Sequence, residues 1–523
     1  MKKFIIKDEE ISIESFTAVV RNENCVIETA DEVLVKINES RKLLEDFVAQ
    51  GRIIYGVNTS MGGFVNYLVP IEHASSLQQN LLHSVASNVG EYFDTQVVRA
   101  IMMARLLSLS KGISAITLKN YEILQEMLNK KVYPCIPEKG SLGASGDLGP
   151  LAFIALVATG QWKAIYQGKI MSGKEAMVAA GIDIMELSYK EGLALINGTS
   201  AMVGVAADNY MRAKALFDNY IIVSGLSFEG LATKIKPFAP EVHRCKKHTG
   251  QQYVSQRIVE VLNSSKLIVD EKETEKMLRE KFSNKAQGMD RQIEDAYSVR
   301  CTPQILGPVK ESLDFIKRII TNEMNSSSDN PLVVPEYEEV FHNGHFHGQY
   351  ISQIMDYLSI CMTTISNLSD RRIDRFMDAS NSNGLPAFLC HTDPGIRMGL
   401  MGGQFMSTSI TAENRSLCVP LSTQTLTSTG DFQDIVSFGL VAARRAKEII
   451  DNLSYIVSFE LLCACHAVDL RGKEKLSYET KILYEKVREV VPFSDKDFII
   501  TDYCEKLKAL LFNDNLLENR VTK

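Results

Sequence analysis

Between Phe432 and Leu470 the chain has no proline and a single glycine, Gly439. Over that stretch apolar residues return at helical spacing, at Ile435, Phe438, Ala442, Ala446, Ile449, Leu453 and Ile456. The pattern predicts a helix far longer than the ~11–12 residues usual in globular proteins. Tyr350 to Met377 repeats it through Ile351, Ile354, Met355, Leu358, Met362, Ile365 and Leu368, and Lys310 to Met324 reads as a third such element. Helices of this length are stabilised by packing along their sides, so the expected fold class is mainly α, a bundle of long helices. The segment IVSFELLCACHAV from Ile456 is apolar nearly all round, and a helix apolar on every side must be covered on every side, most simply by oligomerisation.

Composition narrows the partners. A net charge of -7 over 523 residues, with no long Lys/Arg run, offers no field for a phosphate backbone, so nucleic acid is not expected. The opening MKKFIIKDEEIS reaches acidic residues before an apolar signal core could form. Uncharged stretches such as Gly192 to Ala207 are broken by Gly, Asn, Thr and Ser, short of the ~20 apolar residues of a membrane span. A soluble, cytoplasmic protein with no membrane partner is expected. Ten scattered cysteines lack zinc spacing and read as reduced thiols. No repeat, linker or composition break forces a boundary. The expectation is one unit over 1–523, with an N-terminal region 1–200, a central bundle 201–480 and a helical tail 481–523.

Glycine-rich segments interrupt the helices at Tyr55 to Phe64, Lys139 to Pro150, Asn197 to Ser200, His342 to Gly348 and Gly402 to Gly403. These are the expected loops, where functional groups concentrate on a rigid scaffold. The most informative is GSLGASGDLGPLAFIALVATG from Gly140, in which Ala144-Ser145-Gly146 sits among glycines just before Pro150 and an apolar run. Proline favours the first position of a helix, so the tripeptide is placed in a tight turn at a helix N-terminus. Compact glycine turns let an amide nitrogen approach a carbonyl carbon two residues back. Attack of the Gly146 nitrogen on the Ala144 carbonyl, with loss of two waters, one from the Ser145 hydroxyl, would give a methylidene-imidazolone with an electrophilic methylene. A phosphate cradle is the bland alternative, but the P-loop Lys-Ser/Thr is missing.

With YGVNTSMGGF at 55–64, EGLALINGTS at 191–200, DAYSVRCTPQILGP at 295–308, SSDNPL at 327–332, FHNGHFHGQ at 341–349 and FQDIVSFGL at 432–440, the chain resembles the histidine, phenylalanine and tyrosine ammonia-lyases and aminomutases over nearly its whole length. The resemblance implies a mainly α, elongated bundle of long helices with a loop-rich N-terminal region carrying the active-site turn, a homotetramer with active sites shared between subunits, and a 4-methylidene-imidazole-5-one cofactor (MIO) formed autocatalytically from Ala144, Ser145 and Gly146. It also implies roles. Tyr55, on an inner loop with Gly62, would be the base for the β-proton, its phenol pKa of ~10 lowered by positive potential. Asn197 would polarise the ring oxygen, Tyr297 and Gln433 would line the amine and ring region, Arg300 would clamp the substrate carboxylate beside Asn330, and Phe346 would face the ring. A surface salt bridge is the alternative for Arg300, a buried aromatic for Tyr55, and ordinary turn positions for Asn197 and Asn330. His342, His345 and His347 have no regular period that would gather them on one ion, and no metal is expected.

Ser84-Val85 falls where family members contact the far end of the substrate side chain, and tyrosine and histidine enzymes usually place a histidine there. An apolar Val85 favours phenylalanine, since a phenol buried without a partner costs roughly 1–3 kcal/mol; adjacent His83 leaves tyrosine open. The expected reaction is ammonia elimination from L-phenylalanine to trans-cinnamate. The alternatives are a phenylalanine or tyrosine 2,3-aminomutase, or a tyrosine or histidine ammonia-lyase. Thr59-Ser60-Met61-Gly62, and Phe432 before Gln433, resemble a bacterial branch containing phenylalanine ammonia-lyases and phenylalanine 2,3-aminomutases. Outside the family, a fumarase-type lyase would need a GSSxMPxKxN stretch, which is missing, and a helical scaffold protein would need no Ala-Ser-Gly turn.

Overall fold

A computed structural model describes residues 2–281, 285–286, 293–513 and 516. Helices dominate, and the four longest are Ser200–Leu231, Thr302–Met324, Gln349–Met377 and Gly439–Arg471. The chain forms two compact units, one of residues 1–211, 316–356 and 420–446, the other of 212–315, 357–419 and 447–523. These interleaved segments do not follow boundaries at 200 and 480, because each long helix carries the chain out of one unit and into the other.

In the first unit the helices Thr95–Leu109 and Leu148–Ala158 are buried at nearly every position, the second almost wholly apolar and the first enclosing Arg99 and Arg105. The second of these packs against Ala74–Val85 and Glu191–Ile196. Short strands tie the intervening loops. Val89–Tyr92 pairs antiparallel with Pro137–Lys139, the strand leading into the Ala-Ser-Gly turn. Leu332–Val334 pairs with Glu339–Phe341 in the register Leu332↔Phe341, which brings Asn330 beside the 342–348 loop.

In the second unit a buried polar knot joins the helices. Arg372, fully buried, donates to Ser224 Oγ (2.6 Å), Thr302 Oγ1 (2.7 Å) and the equally buried Glu460 (3.3 Å). Gly402 and Gly403, expected in a loop, lie inside the helix Met401–Leu417. The reason is packing: a β-carbon at Gly403 would sit 2.0 Å from the Phe459 ring. The last long helix starts at Gly439 and not near Phe432, because Thr429, Asp431 and Phe438 turn into the left-handed region (φ 58°, 65° and 52°). It is long and apolar enough to cross a membrane, yet 83% of its apolar stretch is buried within the chain. Ile456 to Val468 is therefore covered without a partner, and its apolar faces give no argument for oligomerisation.

Candidate active site

The Ala-Ser-Gly turn is clamped at both ends. Isolated bridges join Gly143 and Ala144 to Gly146, and Gly146 to Gly198. Asp147 N–H donates to the Gly198 carbonyl (2.8 Å), and Gly198 N–H donates to the Ser145 carbonyl (3.3 Å). Gly146 has φ +70°, and a β-carbon there would lie 2.1 Å from the Gly198 oxygen. Only glycine fits, and its freedom lets the turn fold back compactly, as ring closure between Gly146 and Ala144 would need. The residues present thus suit the cofactor the resemblance implies. Pro150 stands third in the following helix, not first, still within the turn where amide donors have no helical partner. Asp147, fully buried, accepts from Met202 N–H (2.7 Å) and the Ser141 hydroxyl (3.0 Å). Burial still pushes its carboxyl up to about 7.

The turn opens onto a cavity of about 770 Å³, lined wholly by residues of the first unit. Its lining includes Ser145, Tyr55, Gly62, Asn197, Asn330, Phe346 and Gln433, with Ser84, Val85, Leu81 and Leu193 forming an apolar part. Ala144 and Gly146 form the turn behind Ser145.

Asn197 ends the helix Glu191–Ile196. Its amide nitrogen donates to Asp329 Oδ1 (3.2 Å) and to the Asn330 carbonyl (3.1 Å). Those acceptors claim its two N–H bonds, so the expected polarisation of a ring oxygen has no N–H left in this arrangement. Asp329 pairs with Lys190 at 2.5 Å, both side chains fully buried. Arg105, also buried, donates to the Asn197 carbonyl (2.8 Å). Burial lowers its pKa to about 10 against the attraction of Asp329, and burial likewise lowers that of Lys190. Asn330 is fixed in turn by Asn343, whose N–H donates to Asn330 Oδ1 (2.7 Å).

Tyr55 is held more lightly. Its hydroxyl accepts from Gly62 N–H (3.1 Å), and its own N–H donates to His342 Nε2 (3.2 Å). Burial raises the phenol pKa, and the Gly62 N–H only partly opposes it. The lowering expected from positive potential is not found, because the lining residues include no Lys or Arg. His342 thus bonds the backbone beside Tyr55; among the described residues no group of three or more His, Cys, Asp or Glu could hold a metal.

His83 points to other partners, with Nε2 2.6 Å from Gln161 Oε1 and 3.2 Å from Gln79, and it does not line the cavity. Tyr297 and Arg300 belong to the second unit and are not lining residues either. They share a one-turn helix in which the guanidinium lies 4.9 Å from the Tyr297 ring centre, and Arg300 pairs with Glu294 at 2.8 Å. Leu81, one turn before Ser84 and Val85, could have been found by helical spacing. Thr429, another lining residue, carried no such signal.

The aromatic amino acid lyase family profile matches residues 11–489. The chain is 38% identical over 521 residues to histidine ammonia-lyase 2 of Fusobacterium nucleatum, covering 99% of this chain and 98% of the relative. It is 38% identical to a tyrosine ammonia-lyase of Cupriavidus metallidurans, over 98% and 97% of the two chains. The solved structure of Pantoea agglomerans phenylalanine aminomutase superposes with a TM-score of 0.95, at 56% identity, covering 99% of this chain and 100% of that one.

Proposed function

We propose, from the premise that this chain belongs to the aromatic amino acid lyase family and is a carbon–nitrogen lyase of the ammonia-lyase/aminomutase type, that its substrate is L-phenylalanine and its product trans-cinnamate. The observation that carries the substrate is the far end of the cavity. Val85, Leu81 and Leu193 offer a phenyl ring apolar contact, with the small Ser84 beside them, while His83 is held by Gln161 and Gln79. A phenol there would lose its hydrogen-bond partners.

Ala144, Ser145 and Gly146 would hold MIO as part of the backbone, and that group supplies an electrophilic methylene for the amine. The chain's residues do the rest. Tyr55 takes the β-proton at Oη; because burial keeps the phenol protonated, a cation brought to the site must lower its pKa so that the phenol proton passes to solvent before the β-proton is taken. Asn330 and Phe346 orient the carboxylate and the ring, and Gln433 lies beside the amine. A carboxylate needs a cation, and the lining has neither Lys nor Arg. We therefore assign Arg300, with Tyr297, to the site through another subunit of a homotetramer. Ten cysteines, none in a disulfide among the described residues and seven of them buried, suit a reducing cytoplasm.

Return of the amine at the β-carbon is the second reading, favoured by the 56% identity to a phenylalanine aminomutase against 38% to the ammonia-lyases. Incubation with L-phenylalanine, L-tyrosine and L-histidine, with arylacrylates separated from β-amino acids, tests both. Cinnamate alone supports elimination, and β-phenylalanine supports the mutase. Faster turnover of tyrosine or histidine would overturn the substrate.

A further inference from the structure

Gln433 makes a contact that the reaction on an amino acid does not require. Its Nε2 donates to Ser145 Oγ at 3.0 Å. The other end of the amide meets Thr429 Oγ1 at 2.6 Å and Ser428 Oγ at 3.3 Å. The distances orient the amide: 2.6 Å suits an O–H···O bond and 3.0 Å an N–H···O bond. Gln433 therefore presents an N–H to Ser145, and the loop hydroxyls hold its oxygen. Backbone bonds between Ser428 and Gln433, 3.0 and 3.4 Å, close this small loop, while Thr429 takes the left-handed φ of 58° that lets its hydroxyl reach back.

We propose that Gln433 is a catalytic residue of the chain's own maturation, donating a hydrogen bond to the departing hydroxyl of Ser145, with Thr429 as the positioning residue that orients its amide. The proposal rests on the reading that Ala144, Ser145 and Gly146 condense. It goes beyond that reading because a bond to Ser145 Oγ exists only while that oxygen is present, so its service ends when the cofactor is complete. The chemistry balances without an oxidant. Gly146 nitrogen bonds to the Ala144 carbonyl carbon, and the first water takes the Ala144 oxygen with the protons of Gly146 N and Ser145 N. The second takes the Ser145 hydroxyl and the Ser145 Cα proton, leaving a Cα=Cβ double bond. Breaking the Cβ–Oγ bond gathers negative charge on Oγ, where a fixed N–H donor lowers the barrier.

Full-length chain made by cell-free synthesis and sampled over time by intact mass tests this. Wild type should lose two waters. Gln433→Leu should lose the first at the wild-type rate and the second roughly 10²–10³-fold more slowly, the scale of one donor at a charge-developing oxygen. Gln433→Glu can donate only when its carboxyl is protonated, so its second loss should quicken as pH falls toward ~4.3, with wild type flat over the same range. Thr429→Val should slow the second loss less, and Thr429→Ser should restore it. Loss of both waters from Gln433→Leu at the wild-type rate, or a stall before the first, would overturn the role of Gln433 alone. A wild-type chain at full sequence mass would overturn the cofactor reading with it.

Discussion

The two sides of the cavity are built differently. Asn197, 2% exposed, rests on Lys190, Asp329 and Arg105, which are almost wholly buried and bonded to one another or to backbone. Across from it, Tyr55 is held by Gly62 and His342, and its neighbours Phe64 and Phe432 are 66% and 50% exposed. On the one side buried ionic groups and backbone bonds hold Asn197 in place. On the other the proposed base Tyr55 is tethered by two hydrogen bonds, which leaves its loop freer to move.

The largest expected effect breaks the chemistry while sparing both walls. Ser145→Ala should lose at most the first water and never the second, and should lose activity by orders of magnitude without unfolding, as intact mass, turnover and circular dichroism would show; near-normal turnover would sink the cofactor assignment. On the loop side, Tyr55→Phe should lower kcat and kcat/KM together by about 10²–10⁴-fold, the scale of general acid–base catalysis. A rise in KM alone would make Tyr55 a binding residue. On the buried side, Lys190→Met strands the Asp329 carboxylate and should cost about 3–5 kcal/mol in urea unfolding. A loss below ~1 kcal/mol would mean that the pair behaves as a surface pair and the contrast between the walls is illusory. The smallest effect sharpens specificity: Val85→His should shift the ratio of kcat/KM for phenylalanine and tyrosine toward tyrosine by about 1–3 kcal/mol, because imidazole can partner the phenol.

Much of the loop side was legible from sequence, since glycine-rich segments announce turns and Tyr55, Ser145, Asn330 and Phe346 all lie in them. The long helices were legible too: Tyr350 to Met377 was expected and Gln349–Met377 is found. The buried side was not. Lys190 and Asp329 are 139 residues apart, and singly each reads as a solvated charge, because pairing across such a distance leaves no periodic trace. Gly402-Gly403 misled because glycine serves both turns and close helix contacts, and only the position of Phe459 decides between them. The stretch from Phe432 to Phe438 has helical periodicity, but positive φ at Thr429, Asp431 and Phe438 overrides it. Arg300 lies one turn from Tyr297 as read, with Glu294 as its ion-pair partner.

The bond between Gln433 and Ser145 spans 288 residues, and this sets a clock on synthesis. At roughly 5–20 residues per second on the ribosome, Gln433 emerges about 15–60 s after Ser145. For that interval the nascent chain carries the serine hydroxyl without its donor, so the reactive methylene should form only after the segment carrying Gln433, within the last 91 residues (433–523), has folded. Pulse-labelled chains should show that lag, and the electrophile would then first appear inside a closed fold, shielded from the thiols and amines of the cell.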